Sequence, residues 1–288
     1  MYKKGLTNPL DLDNLIDCLK YKRWDKKLHP HYFRAFGTCI FCGAQGEGKT
    51  LSAVQYILKI CKKFPRAVLV SNVAVKDRPF NAECVQINGQ WWIRRISSGV
   101  LYNTDRILIE SLSPDWEPLT IEYTGLDMLK YVCNREYGVI YLIDELHLEL
   151  NSLESKNIDI EVMVEISQQR KQRKHIVGTS QIFMRLAKPL REQIHDIIIC
   201  HNFWGVIQFN KWINGMTAQE KDGKLVAECK GRYIWPHSPD MYAQYDTFVK
   251  MRRYNKEWQG RPRKDNIYED DTPVFTDRRH KIGSGFRP

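Results

Sequence analysis

Phe36-Gly37-Thr38-Cys39-Ile40-Phe41-Cys42-Gly43-Ala44-Gln45-Gly46-Glu47-Gly48-Lys49-Thr50-Leu51 decides the fold. Its first half is an apolar run of strand length, and the helical spacing that begins at Thr50 continues to about Lys63. Between them Gly43 to Thr50 fits G-x-x-x-x-G-K-[ST] in full, in the strand–loop–helix setting that the motif requires. By residue frequencies alone, a chain of this length yields such a match on the order of 1% of the time.

Each position has a physical reason. Gly43, Gly46 and Gly48 let the backbone enter conformations closed to residues with a Cβ, so that several N–H groups converge on one anion. The helix N-terminus adds unsatisfied donors, Lys49 a full positive charge and Thr50 a hydroxyl for Mg²⁺. The expected nucleotide contacts are therefore Gly43, Ala44, Gln45, Gly46, Glu47, Gly48, Lys49, Thr50 and Leu51, with ATP and Mg²⁺ as the cofactors.

Working outward, Ala67 to Asn72, Gly138 to Glu145, His175 to Gln181 and Asp196 to Cys200 read as further buried strands, and Gly205 to Phe209 pairs beside the last. Helices are expected over Gly125–Arg135, Ile158–Lys174 and Ile182–Gln193. Strands alternating with helices define an α/β fold with a mostly parallel sheet flanked by helices. Residues 83–124 differ in texture: the Asn88-Gly89 hairpin signal sits among aromatic and β-branched residues and predicts a β-rich insertion. The resulting division is an N-terminal arm over 1–36, a main domain over 37–235 and a basic, largely extended tail over 236–288. From Lys250 onward that tail holds 11 Lys plus Arg against 6 Asp plus Glu.

Asp144 and Glu145 stand at the tip of the Gly138–Ile143 run. With a phosphate loop upstream, Asp144 is the expected second Mg²⁺ ligand beside Thr50, and Glu145 the group that polarises the attacking water. Acids can also cap a following helix, which is the simpler alternative.

With 44 Lys plus Arg against 34 Asp plus Glu, the net charge is +10, which suits a polyanionic partner. Apolar residues are 43% and charged residues 27%, ordinary globular usage that excludes a disordered or collagenous chain. No stretch has the 18 or more apolar residues of a spanning helix, and the first residues carry no secretory signal, so a cytosolic chain with reduced cysteines is expected. Cys39 and Cys42 have metal-like spacing but no second pair nearby, and read as small core residues. Arg94, Arg95 and the tail are candidate DNA contacts, and Trp91 and Trp92 could stack on bases, although neighbouring tryptophans in a hairpin more often divide between core and surface.

The order of Gly43–Thr50, Ile143-Asp144-Glu145 and the strand ending in Gln181, with Asn72 after the second strand, resembles the FtsK/HerA branch of P-loop ATPases (the RecA/FtsK-like P-loop NTPase fold). Within it the likeness is to viral genome-packaging ATPases and to Zot-like (zonular occludens toxin-like) filamentous phage assembly proteins. The resemblance implies that Glu145 is the catalytic glutamate, that Lys49 and Gln181 act on the γ-phosphate, and that Arg170 or Arg173 is an arginine finger reaching the next subunit. It also implies a homo-oligomeric ring, a hexamer, that threads DNA and packages a viral genome with a capsid or vertex protein as partner. A host-cytoplasmic or virion-associated location follows. The alternative is a Zot-like ATPase that drives phage assembly or export at the membrane, against which the missing spanning helix counts. The 83–124 insertion has no counterpart in the family pattern.

Overall fold

The computed structural model describes residues 12–245, except 36, 104–106, 108–109, 111–112, 114, 154–157 and 222–223. All of these belong to the first of two units, residues 1–255; the second, residues 256–288, lies outside the described residues, as does most of the expected tail.

An eleven-stranded sheet organises the chain. Its strands are β1 (Gly37–Cys42), β2 (Val68–Ser71), β3 (Ala82–Ile87), β4 (Gln90–Arg95), β5 (Leu101–Tyr102), β6 (Thr120–Glu122), β7 (Val139–Ile143), β8 (Lys174–Ser180), β9 (Ile194–Phe203), β10 (Ile207–Asn214) and, after the separate hairpin β11 (Gln219–Lys221) and β12 (Lys224–Val226), β13 (Cys229–Pro236). The spatial order is β13-β10-β9-β1-β8-β7-β2-β6-β3-β4-β5. Strands β9 to β3 in that order run parallel, and antiparallel pairs extend both edges. The expected mostly parallel α/β architecture is the one observed.

The central strands are buried on both faces, which is why they read as unbroken apolar runs. Successive side chains leave a strand on opposite faces, so β7 sends Val139, Tyr141 and Ile143 to one core and Ile140 and Leu142 to the other. The second core is covered by α2 (Lys49–Lys63), whose Ala53, Val54, Ile57, Ile60 and Cys61 fall at helical spacing on one face. Each fully buried Val or Ile there contributes about 1.5–3 kcal/mol. That packing seats the N-terminus of α2 at the C-terminal end of β1, where the glycine-rich loop must lie.

The insertion departs from expectation in its placement. Its hairpin is present, with Asn88 and Gly89 both at positive φ, but β6 pairs in parallel with β2 and β3 pairs with β6. The segment therefore continues the main sheet outward and starts at Ala82. Within it Arg94 chelates Glu83, while the buried Arg95 binds the Tyr102 hydroxyl and Glu117. Arg94 thus lies in an exposed ion pair and Arg95 in a largely buried one. Trp91 lies flat on Tyr131, ring centroids 3.9 Å apart, and Trp92 is half-buried.

Three expected helices are shorter. Gly125–Arg135 yields only α3 (Met128–Tyr131), because the buried Asn134 turns its amide to the carbonyls of Arg66 and Gly138. In place of a helix to Lys174, α4 (Ile160–Gln168) gives way to turns that end at Arg173 with φ 53°, and Lys174 is buried in β8 against Glu165 and the Leu129 carbonyl. Ile182–Gln193 divides into a 3-10 turn at Phe183–Arg185 and the single turn α5 (Lys188–Arg191), since Leu186 bridges Asn151 and Pro189 supplies no N–H to a continuous helix.

The arm contains one helix, α1 (Leu12–Leu28), that runs through the basic aromatic stretch and leaves Leu15, Ile16, Leu19, Trp24 and Leu28 exposed. At the other end the domain continues past Pro236: α6 (Pro239–Tyr242) follows, and Gln244 bonds the backbone of Lys76 and Asp77. All eight cysteines are free; Cys39 and Cys42 are buried, as core residues should be, and among the described residues no His/Cys/Asp/Glu group forms a metal cluster. No described helix is long and apolar enough to cross a membrane.

Candidate nucleotide site

The β1–α2 loop enters α2 through Gly48, whose φ of +72° belongs to the left-handed region, as does the +84° of Gly46. A Cβ on Gly48 would stand 2.1 Å from Gln208 Oε1, so glycine is required there by both conformation and space. The buried Lys49 folds its ammonium back to the Ala44 carbonyl at 3.0 Å, closing the loop on itself.

Strand order brings the acids to this loop. β8 lies between β1 and β7, so the C-terminal ends of all three strands share one edge of the sheet. There the Thr50 hydroxyl donates to Asp144 Oδ1 at 2.8 Å, and the Thr179 hydroxyl donates to the same oxygen at 2.7 Å. Asn72 clamps the Asp144 backbone from β2, its amide donating to the Asp144 carbonyl and its oxygen accepting the Asp144 N–H. Burial raises the Asp144 pKa, and the two hydroxyl donors oppose that shift. One carboxylate oxygen is thus fixed by two hydroxyls, in a position suited to divalent-cation chemistry with Thr50.

Glu145 follows with φ 52°, an unusual conformation for a residue with a Cβ, while its N–H donates to Thr179 Oγ1. His147 Nδ1 lies 3.1 Å from Glu145 Oε2, but the alignment is too poor for a hydrogen bond and neither atom has another such partner. Burial lowers the His147 pKa, with Arg185 and Lys49 contributing in the same direction and Glu145 opposing. Glu145 Oε2 is thus a buried carboxylate oxygen with no hydrogen-bond donor.

Gln181 directly follows Ser180, which pairs with Cys42, so it stands beside the start of the loop, half-buried. Arg170 and Arg173 are not brought to this edge: they precede β8 and lie at the opposite end of the sheet. Arg170 is exposed. Arg173 donates to the Phe33 carbonyl at 2.7 Å and covers the Tyr32 ring, so its guanidinium is engaged within its own chain.

Sequence reasoning missed Thr179, His147 and the contacts that the loop makes with β9 and β10. His147 had a legible signal in its spacing from Glu145. Glu47 accepts from the Asn202 N–H at 2.6 Å and lies 2.8 Å from His201 Nδ1, while Gln208 donates to the Glu47 carbonyl at 2.9 Å. Nothing local in the sequence marks those partners.

Loop, helix N-terminus, adjacent acids and sheet order together define an α/β fold of the P-loop NTPase type. The residues fit a nucleotide with its metal: glycines that create the cradle, a lysine within it, and Thr50 with Asp144 as an all-oxygen donor pair of the kind that Mg²⁺ takes. No protein-family model matches the chain, and no curated protein matches it. Among solved structures it is similar to the N-terminal domain of zonular occludens toxin from Neisseria meningitidis, at 15% identity over 74% of this chain and 100% of that one, TM-score 0.46. It is also similar to the genome packaging NTPase B204 of Sulfolobus turreted icosahedral virus 2, solved with ATP-gammaS, at 10% identity over 58% of this chain and 75% of that one, TM-score 0.39. The same NTPase solved with AMPPCP gives 12% identity over 58% and 75%, TM-score 0.40. Likenesses this distant transfer no function, and the assignment rests on the topology and the site.

Proposed function

We propose that the protein is an ATPase that uses the β1–α2 loop to bind ATP and hydrolyses it to move DNA during the packaging of a viral genome. The observation that carries the ATPase reading is the Thr50–Asp144 hydrogen bond, which joins the phosphate loop to the acid-bearing strand tip. The DNA and packaging part is supported by the motif resemblance and by the net charge of +10.

In this reading the N–H groups of residues 45–50 and the Lys49 ammonium hold the phosphates, and Thr50 and Asp144 hold Mg²⁺. When bound, the metal neutralises charge on the phosphate oxygens. Asn72 and Thr179 keep Asp144 aimed at Thr50. Glu145 orients the attacking water and accepts its proton at Oε2, beside His147. Gln181 contacts the γ-phosphate from the tip of β8. The arginine acting from a neighbouring copy in a ring, a hexamer, is Arg170 or Arg173. A capsid or vertex protein receives the motor in the host cytoplasm or in the virion.

The test is phosphate release by the purified protein with and without double- and single-stranded DNA. Turnover that depends on Lys49 and is stimulated by DNA is expected. Lys49-dependent turnover that DNA leaves unchanged in the assembled oligomer would remove the DNA-motor part and leave the ATPase.

A further inference from the structure

Gln208 is fully buried in β10, and its amide reaches the phosphate loop. Its Nε2 faces three oxygens, the carbonyl of Glu47 at 2.9 Å, the carbonyl of His201 at 3.2 Å and Asn210 Oδ1 at 3.0 Å. The Asn210 amide nitrogen is already donating to Ser52, which fixes that oxygen as an acceptor. An amide turned over would set its own oxygen against all three, so the orientation is determined. Gln208 Oε1 therefore points the other way, into the space that a side chain on Gly48 would fill, and toward His237 Nε2 at 3.2 Å. That contact makes His237 Nε2 a donor, and its Nδ1 likewise faces an acceptor, the Gly205 carbonyl at 3.1 Å. The same Nδ1 lies 2.5 Å from the Tyr242 hydroxyl, which itself donates to the Gly205 carbonyl at 2.6 Å.

The consequence for the loop follows from peptide geometry. In a trans peptide the C=O and the following N–H point in opposite directions. Gln208 holds the Glu47 carbonyl toward the sheet, so the Gly48 N–H is turned away from Gln208. The left-handed φ of Gly48 is part of the same arrangement. A backbone donor aimed in advance at a charged group loses little in reorganisation when that group binds.

We propose that Gln208 is a positioning residue for nucleotide binding, fixing the Glu47–Gly48 peptide so that its N–H meets the phosphates, and that His237, in the segment after β13, holds Gln208 in place. The proposal rests on the reading of residues 43–50 as the nucleotide site. It makes the docking of residues 237–242 against the β9–β10 hairpin a determinant of nucleotide affinity, so that a partner displacing this segment would loosen the grip on nucleotide.

The test is titration of the full-length protein with a fluorescent methylanthraniloyl-ATP in Mg²⁺, well below the melting temperature of each variant, with the melting curves recorded separately. A hydrogen bond to a charged group is worth about tenfold or more in Kd. Gln208→Ala and Gln208→Glu are expected to weaken binding about tenfold, the second because it keeps Oε1 and loses the donor. His237→Ala, a substitution at the periphery that leaves the sheet intact, is expected to weaken it about threefold, and His237→Gln, which restores a donor, to recover most of that loss. The double variant Gln208→Ala/His237→Ala should bind no more weakly than Gln208→Ala alone. Variants that melt earlier but bind as the wild type does would overturn the proposal, because a purely structural role moves melting and not affinity; additive losses in the double variant would overturn the role of His237. Wild-type protein that bound no nucleotide would overturn the reading of the loop itself, a result distinguishable from either.

Discussion

The Thr50 hydroxyl meets the Asp144 carboxylate across 2.8 Å although 94 positions separate the two in sequence. The contact exists because β1 and β7 flank the same neighbour, β8, in the same direction, so a loop after one and an acid after the other arrive at one edge. The order of strands, as much as the loop motif, makes the site.

Lys49→Ala removes the only full positive charge within the loop and is expected to abolish turnover and weaken ATP binding severely. Glu145→Gln keeps the shape and loses the proton acceptor, so it should bind ATP and turn over at least about a hundredfold more slowly. Phosphate release and nucleotide binding measured on both variants separate the two roles. Normal turnover in both would defeat the enzymatic reading.

Asp144→Asn should stabilise the nucleotide-free protein while abolishing Mg²⁺-dependent hydrolysis. Burial raises the Asp144 pKa, so the folded state favours the protonated acid. Its relative stabilisation is fully present below the ordinary aspartate pKa of about 3.9 and is lost as pH rises through the raised value, leaving a penalty at neutral pH. The amide oxygen can still accept from Thr50 and Thr179. Melting curves from pH 4 to 8 are expected to show a gain of about 0.5–2 kcal/mol at neutral pH that shrinks toward pH 4. A variant less stable at every pH would contradict it.

Gly48→Ala forces a Cβ to within 2.1 Å of Gln208 at a φ of +72°. Nucleotide binding should be lost, with destabilisation of about 1–3 kcal/mol by urea unfolding. Gly46→Ala, with open space around it and only the conformational cost at φ +84°, should be milder in stability. Equal unfolding midpoints for the two would refute the steric account.

Gly138→Ala tests the fold away from the site. At φ +74° its Cβ would stand 2.3 Å from the Phe33 ring, in the turn that launches β7. More than about 2 kcal/mol of stability should be lost, or soluble expression altogether. If the purified variant unfolds at the wild-type urea concentration, the packing of Phe33 against this turn is wrong.

What was legible in the sequence was whatever is encoded locally. Phe36 to Leu51 announced strand, loop and helix because an apolar run and a glycine pattern each have a single structural solution, and the buried parallel strands announced themselves by lacking polar alternation. Asp144 and Glu145 were legible from their place at a strand tip. Helix lengths were not, because Asn134, Lys174 and Leu186 each make long-range contacts that override local periodicity. Arg94, Arg95 and Arg173 looked like a cationic surface, since partners such as Glu83, Glu117 and the Phe33 carbonyl are supplied by pairing and packing that no spacing reveals. Gln208 and His237 were silent for the same reason: a glutamine in a strand carries no mark of the loop that it supports.

The most direct measurement is a crystal structure of the protein with Mg²⁺ and a non-hydrolysable ATP analogue. Phosphate density enclosed by residues 43–50, with a cation between Thr50 and Asp144, is expected. A loop that stays empty at saturating nucleotide, or one closed by Lys49 on Ala44 with the analogue bound elsewhere, would contradict it.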